Sequence, residues 1–299
     1  MKEIKSGFVT IIGRPNVGKS TLLNHFVGQK IAIMSDKAQT TRNKIQAVLT
    51  LDDAQVIFID TPGVHKPKHH LGNFMVNAAV DAIKGVDLVL VVVNANEKMG
   101  PGDLRVIDYA RNSQLPVFLV INKIDLIHPD QLLSVIDGYR QEFEFTEIYP
   151  ISAIQGNNTE ALLEGIKNAL PIGPQYYPSD QITDHPEYFV VSEFIREKIL
   201  FFTREEIPHS VAVQVNRMRH NDENEMEIEA TIVVERESQK GIIIGKNGAL
   251  IKKVKKLARK DIENLLGEKV FLDLWVKVQK DWRNRSNQLK DLGYRPEDY

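Results

Sequence analysis

Gly13-Arg14-Pro15-Asn16-Val17-Gly18-Lys19-Ser20 decides how this chain folds. The pattern is a glycine, four residues, then Gly-Lys-Ser. An apolar, strand-like stretch at 8–12 precedes it, and a helix-like stretch at 19–27 follows. Strand, glycine-bounded loop and helix together are the context a phosphate-binding loop needs. The glycines let backbone N–H groups turn inward around phosphate oxygens. The helix N-terminus adds partial positive charge there, and Lys19 adds a full one. The Ser20 hydroxyl can ligate Mg²⁺ beside the β and γ oxygens, and Thr21 follows in the same first turn.

Outward from this loop, the first 170 residues alternate two rhythms. Short, β-branched apolar runs fall at 8–12, 44–51, 55–59, 88–93, 117–121 and 148–151. Helical patterns fall at 19–27, 71–84, 102–111, 131–143 and 159–170. Near-continuous apolar strands separated by helices predict an α/β fold with a mainly parallel sheet covered on both faces. Asp52-Asp53 between two strand-like runs predicts one antiparallel hairpin within it.

A phosphate loop does not by itself separate GTP from ATP. Asn122-Lys123-Ile124-Asp125 does, because it follows the strand at 117–121, at the carboxyl edge where such sheets bind ligands. The Asp125 carboxylate can accept from both N1–H and the N2 amine of guanine, whereas adenine would leave it unpaired. Ser152-Ala153-Ile154, after the next strand, brings a backbone N–H toward guanine O6.

Asp60-Thr61-Pro62-Gly63 also follows a strand. Asp60 is placed to hold Mg²⁺ through water, and the Gly63 N–H to bond the γ-phosphate. Loss of that bond on hydrolysis would release 64–72 as a switch. Thr41 is the expected second Mg²⁺ ligand, with Thr40 the alternative. Lys19, Thr41, Gly63 and Asn16 are the residues expected to serve hydrolysis. Val64 stands where Ras-like enzymes carry a water-orienting Gln, so the reaction must be slow or activated otherwise. The Asn16 side-chain oxygen is a candidate ligand for a monovalent cation such as K⁺. His65, His69 and His70 lie in the switch with Lys66 and Lys68, a pattern that reads as a solvated basic loop rather than a metal site.

The run from Pro171 to Asp180, with Pro186 beyond, predicts a stiff extended connection. The expected division is a nucleotide-binding domain at 1–172, a linker at 173–186 and a second domain at 187–299. The latter reads as helix (187–202), strands (210–219 and 225–235), helices (238–244 and 247–266) and strand (269–278), an α+β order.

Net charge is −2, yet residues 236–260 carry nine basic side chains against one acid, Glu237. Such a block is the footprint of an anionic partner. Gly245-Lys246-Asn247-Gly248 sits inside it, after apolar Ile244 and before the basic helix that bears Lys252 and Lys253. A GxxG loop between helices lets a single-stranded nucleic-acid backbone approach closely, with Lys246 pairing a phosphate.

The chain has 299 residues and no cysteine, which excludes disulfides, thiolate metal sites and a cysteine nucleophile. Its longest apolar run, 88–93, falls far short of the roughly 20 residues a membrane-spanning helix needs. The N-terminus enters a strand without a signal peptide's apolar core, and the protein is expected to be cytoplasmic and monomeric.

GRPNVGKSTLLN at 13–24, KAQTTR at 37–42, DTPG at 60–63, NKID at 122–125 and SAI at 152–154 resemble the Era GTPases. VERESQKGIIIGKNG at 234–248 and LWVKV at 274–278 are similar to their C-terminal KH domain. The pairing is specific, because the first set alone would also suit the related EngA and TrmE proteins. Val64 itself resembles the hydrophobic residue of that family. The resemblance implies a type II KH domain, binding of 16S ribosomal RNA near its 3′ end and a role in 30S subunit maturation. It also implies peripheral association with the bacterial cell membrane.

Overall fold

The computed structural model describes residues 4–37, 39–64, 67 and 69–295. The expected switch residues His65, Lys66 and Lys68 lie outside the described residues.

The first sheet forms because its strands are apolar on both faces. β1 (Ile4–Gly13), β3 (Ala54–Asp60), β4 (Leu88–Asn94), β5 (Val117–Asn122) and β6 (Glu147–Pro150) run parallel. β2 (Ile45–Thr50) pairs antiparallel with β3, as the Asp52-Asp53 turn predicts. The order is β2-β3-β1-β4-β5-β6, and the short β7 (Ile172–Gly173) adds antiparallel to the start of β1. β4 is buried at every position. Leu88, Leu90 and Val92 enter the core on one face, while Val89, Val91 and Val93 enter the core on the other. This alternation is the period-2 geometry of a strand.

Helices α1 (Lys19–Val27), α2 (His70–Asp81), α3 (Pro101–Ser113), α4 (Pro129–Glu142) and α5 (Thr159–Ala169) connect the strands. Two begin on a proline, where the missing N–H costs nothing. The sequence pattern started both slightly later.

The segment after β7 is not a free strut. Gln55 receives the N–H groups of Tyr176 and Tyr177 at 2.7 and 3.0 Å and donates to the Tyr177 carbonyl at 2.8 Å. Val48 N–H donates to the Ile182 carbonyl at 2.9 Å, and Thr183 bridges to Ala47 on β2. The proline-rich connection is therefore pinned along β2 and β3.

Beyond it come α6 (Glu187–Phe202), α7 (Ile207–Ser210), β8 (Ala212–His220), β9 (Met226–Val234), α8 (Glu237–Ile244), α9 (Ala249–Leu266) and β10 (Val270–Val278). A 3-10 turn (Trp282–Asn284) and α10 (Ser286–Asp291) close the described chain. The second sheet has the order β10-β9-β8, with β9 parallel to β10 and antiparallel to β8. α6 and α9 bury Val191, Phe194, Ile195, Val254, Ala258 and Ile262 against it. The expected α-β-β-α-α-β order is present, with α7 and the C-terminal turn and helix added to it. α9 begins at Ala249 rather than 247, because Asn247 and Gly248 adopt left-handed backbone.

The two parts meet through specific contacts. Lys30 binds Glu197 and Asp261 at 2.5 and 2.6 Å, and Lys198 binds the same two carboxylates at 2.7 and 2.6 Å. Burial disfavours the Asp261 charge, but the two ammonium groups outweigh it and hold its carboxyl below the ordinary range. Leu71, Phe74 and Met75 of α2 pack with Trp282, Leu289 and Tyr294 in one buried cluster.

Candidate functional site

The carboxyl ends of β1, β3 and β5 and the loop after β6 converge on one cleft of about 880 Å³. Among its lining residues are Pro15, Asn16, Gly18, Lys19, Ser20, Thr21, Thr41, Gly63, Lys123, Ala153 and Ile154. These belong to all five segments singled out in the sequence.

The phosphate loop owes its shape to backbone geometry. Gly18 has φ +100°, and a Cβ there would lie 2.2 Å from Asn122 Nδ2. Only glycine fits. Lys19 is buried at the start of α1, with its Nζ donating to the carbonyls of Gly13 and Arg14 at 3.3 and 3.0 Å. Ser20 Oγ donates to Asp60 Oδ2 at 2.6 Å and lies 3.0 Å from Thr41 Oγ1, which is 3.3 Å from the same carboxylate oxygen. The expected Mg²⁺ ligands are thus gathered at one point, and it is Thr41 that joins them. Thr40 instead donates its hydroxyl to the Lys37 carbonyl at 2.7 Å. Asp60 Oδ1 is buried with no hydrogen-bond partner among the described residues. A hard, oxygen-rich donor set with an unmatched carboxylate oxygen fits Mg²⁺.

Burial works against both charges in this group. It pushes the Lys19 ammonium down, with Asp60 opposing. It pushes the Asp60 carboxyl up, against Lys19 and the hydroxyls of Ser20 and Thr41.

The base end of the cleft is organised by Asn122, which is buried. Its Nδ2 donates to the Val17 carbonyl at 2.9 Å, and its Oδ1 accepts from the N–H groups of Lys123 and Ala153 at 2.8 and 2.9 Å. One side chain therefore locks the phosphate loop, the base-reading loop and the loop after β6 together. Lys123 takes a left-handed turn, and its Nζ reaches the Asn16 carbonyl at 2.7 Å. Asp125 is exposed in the 3-10 turn Ile124–Leu126, and Ile154 is 78% exposed at the cleft wall. Buried Ser152 accepts the Gln155 N–H on its hydroxyl at 3.3 Å and so shapes its own turn.

Several expected nucleotide residues direct their side chains to protein partners. The Arg14 side chain turns away to Asp103 and Glu97 at 2.7 and 2.9 Å, leaving only its backbone at the loop. Val17 is core, Pro62 is buried, and Thr61 donates its hydroxyl to the Ile11 carbonyl at 2.8 Å. Asn16 has left-handed backbone, and its Nδ2 donates to the Asp36 carbonyl at 2.8 Å. Val64 is 2% exposed within the core, and its N–H donates to the Gly13 carbonyl at 3.2 Å. No metal-binding group of His, Asp or Glu is found among the described residues.

Sequence reasoning missed Asn24, Met34, Arg42, Arg196 and Phe201. Asn24 Oδ1 accepts from Ile31 and Ala32 N–H at 2.9 Å each and shapes the loop after α1. Met34 and Phe201, the latter from α6, line the cleft. Only Arg42 carried a local signal, its adjacency to Thr41.

The GxxG loop forms a second site. α8 stops because Gly245 adopts φ 73°, ψ 168°, and a Cβ there would meet Leu250 Cβ and N at 2.9 Å. Lys246 and Asn247 are exposed at the tip, and Lys252 and Lys253 project from the first turn of α9. Lys253 Nζ sits 4.4 Å from the Phe202 ring centroid. A groove of about 350 Å³ between α9 and β10 is lined by Ile251, Lys252, Lys255, Asp273, Leu274 and Trp275. Trp275 is 67% exposed there.

Comparison with known proteins assigns both parts of the chain to known families. Residues 8–123 match the family model described as 50S ribosome-binding GTPase, and residues 206–283 match the KH domain model. The chain is similar to an Aquifex aeolicus Era variant bound to GDP.AlF4-, with 42% identity, 97% of this chain and 99% of that chain covered, and a TM-score of 0.94. It is equally similar to an Era in complex with MgGDPNP and nucleotides 1506-1542 of 16S ribosomal RNA, with 42% identity, the same coverage and a TM-score of 0.95. The chain therefore belongs to the Era family, with a P-loop GTPase domain followed by a KH domain.

Proposed function

We propose that this protein hydrolyses GTP and binds single-stranded 16S ribosomal RNA through its KH domain, in assembly and maturation of the 30S subunit. The observation that carries this reading is one chain joining a guanine-type phosphate-loop cleft to an exposed basic GxxG loop. The working division is 1–172 for the GTPase domain, 173–186 for the linker and 187–299 for the KH domain.

The reaction is in-line attack of water on the γ-phosphate. Lys19 and the loop N–H groups stabilise the charge that develops on the phosphoryl oxygens. Ser20, Thr41 and Asp60 hold Mg²⁺, which when bound neutralises the β and γ oxygens. The Gly63 N–H holds the γ-phosphate, and its release after hydrolysis frees the following segment. Val64 is buried and offers no group to orient water, so the intrinsic rate is slow. The Asn16 Oδ1 is the atom offered to K⁺, since its Nδ2 is engaged by Asp36.

On the KH domain, Lys246, Lys252 and Lys253 supply the phosphate contacts, and Gly245 and Gly248 let the RNA backbone approach past Ile244 and Asn247. Trp275 offers a face on which a base can stack. No helix among the described residues is long and apolar enough to cross a membrane, and association with the cell membrane is proposed as peripheral.

Burial of Val64 also favours a second reading, an RNA-binding module whose nucleotide is structural and hardly turns over. Multiple-turnover kinetics with and without an RNA of the 16S 3′ end separate the two. Turnover that rises with RNA supports the first; none under either condition supports the second. Crosslinking and sequencing of the bound RNA test its identity.

A further inference from the structure

The segment that carries Thr41 is fastened on both sides to the KH domain. Arg42 is 1% exposed, although it follows directly on a residue of the nucleotide cleft. Its Nη1 donates to the Val211 carbonyl at 2.7 Å and to the Tyr294 hydroxyl at 3.1 Å, and its Nη2 donates to the Pro208 carbonyl at 3.1 Å. The guanidinium lies 5.8 Å from the Trp282 ring and 5.9 Å from the Tyr294 ring. Those rings stack on each other at 6.0 Å with an interplanar angle of 17°. On the other side of Thr41, Arg196 of α6 is held by Glu193 at 2.7 Å and donates to the Thr40 carbonyl.

Burying a guanidinium among neutral partners is unfavourable unless hydrogen bonds and aromatic faces offset it. Here three hydrogen bonds and two aromatic faces offset part of that cost, while Nε is left buried without a partner among the described residues. The anchored side chain holds the backbone beside it. With Thr40 and Arg42 both held, Thr41 has little freedom, and its hydroxyl is delivered to Ser20 and Asp60. The same aromatic cage borders α2, which begins at the end of the expected switch at 64–72: Tyr294 meets Phe74 edge-on at 5.8 Å.

We propose that Arg42 is a positioning residue for GTP hydrolysis. Anchored in the cage of Val211, Pro208, Trp282 and Tyr294, it sets Thr41 where that residue completes the Mg²⁺ site. The KH domain thereby contributes to the chemistry of the GTPase domain. This rests on Thr41 as a Mg²⁺ ligand, the reading given above.

The test is single-turnover GTP hydrolysis by the full chain at rising Mg²⁺, with Mg²⁺-dependent GDP binding measured beside it. Arg42→Ala should raise the half-saturating Mg²⁺ for hydrolysis about tenfold and move the GDP complex less, because switch contacts to the metal depend on the γ-phosphate. Arg42→Lys should fall between, since it keeps the charge and loses the fork. Tyr294→Phe removes one hydroxyl and should shift the same value in the same direction, by less. The double variant Thr41→Ala with Arg42→Ala should be no worse than Thr41→Ala alone. Wild-type Mg²⁺ dependence in Arg42→Ala beside an impaired Thr41→Ala overturns the inference and leaves Thr41 as ligand. Additive losses in the double variant also overturn it. Wild-type Mg²⁺ dependence in Thr41→Ala removes both. If Arg42→Ala does not fold, Arg42→Lys and Tyr294→Phe decide, and no shift in either overturns the inference.

Discussion

Asn122 Nδ2 donates to the Val17 carbonyl at 2.9 Å, so the end of β5 grips the phosphate loop from behind. The same side chain accepts from Lys123 and Ala153 on its oxygen. Three loops from distant parts of the chain thus share one buried amide.

Asn122→Ala removes this grip and leaves buried backbone groups unpaired. An unsatisfied buried group costs about 1–3 kcal/mol. Thermal unfolding should shift down by several degrees, and affinity for GDP should fall with it. Calorimetry and fluorescent-nucleotide binding measure the two; an unchanged melting temperature would show that the three loops do not depend on Asn122.

Asp125→Asn should move base preference from guanine toward xanthine, whose C2 carbonyl can accept from the new amide. The loss for GTP should be about 1.5–3 kcal/mol, the worth of hydrogen bonds to a charged group, which is roughly ten- to a hundredfold in affinity. Competition between GTP and XTP reads this directly. GTP affinity at the wild-type level refutes the role given to Asp125.

Mg²⁺ binding should weaken in acid sooner than an ordinary aspartate near about 3.9 would allow. Burial raises the Asp60 carboxyl, and a metal ligand must be deprotonated. As pH falls, the proton therefore displaces the metal at a higher pH than usual. For folding without metal the sign is opposite. The folded chain holds the Asp60 proton more tightly than the unfolded chain, so this group's contribution to stability is lost as pH rises through the raised value. Titrating Mg²⁺ against nucleotide-loaded protein from neutral to mildly acid pH, with Asp60→Asn as reference, checks the first effect. A pH-independent wild-type curve over that range contradicts it.

The KH site should divide into an electrostatic and a stacking part. Lys246→Ala should weaken RNA binding evenly across sequences and reduce the salt slope by about 0.7, the single-strand value per phosphate contact. Trp275→Ala should cost about 1–3 kcal/mol and leave the salt slope as it was. Gly248→Asp places a carboxylate at the loop tip and should abolish binding at moderate salt, with circular dichroism to verify the fold. RNA affinity that survives Gly248→Asp refutes the loop as the RNA site.

Most of the first domain was legible because its signals are local. β4 reads as a run of apolar β-branched residues, and it is buried on both faces. α1 is bracketed by Gly18 and Gly28, and α3 and α4 open on a proline. The errors fall where pattern is too short to register. β7 has two residues, α7 has four, and α10 has six. The linker's prolines correctly indicated an extended chain, but Gln55 and Ile182 show no periodicity that foretells docking onto β2 and β3.

In the nucleotide site, the residues proposed to touch phosphate and metal were readable, since each lies in a short motif beside a strand or helix end. The residues that hold them were not. Asn122, read as part of the guanine motif, also braces the phosphate loop, which its spacing did not foretell. Arg14, expected at the nucleotide, sends its side chain to α3.

Two kinds of information separate here. Sequence spacing by itself pointed to 13–20 as the phosphate loop, to Asp125 as the proposed reader of guanine and to 245–248 as an open basic loop. Those features depend on glycine's backbone freedom, on charge and on a strand or helix a few residues away. Only the tertiary structure decided that Arg42 belongs to a cage 252 residues away at Tyr294, and that Arg196 holds Thr40 from 156 residues away. Contacts at such separations arise when two separately patterned cores are pressed together, and no local period in either core encodes which side chains meet.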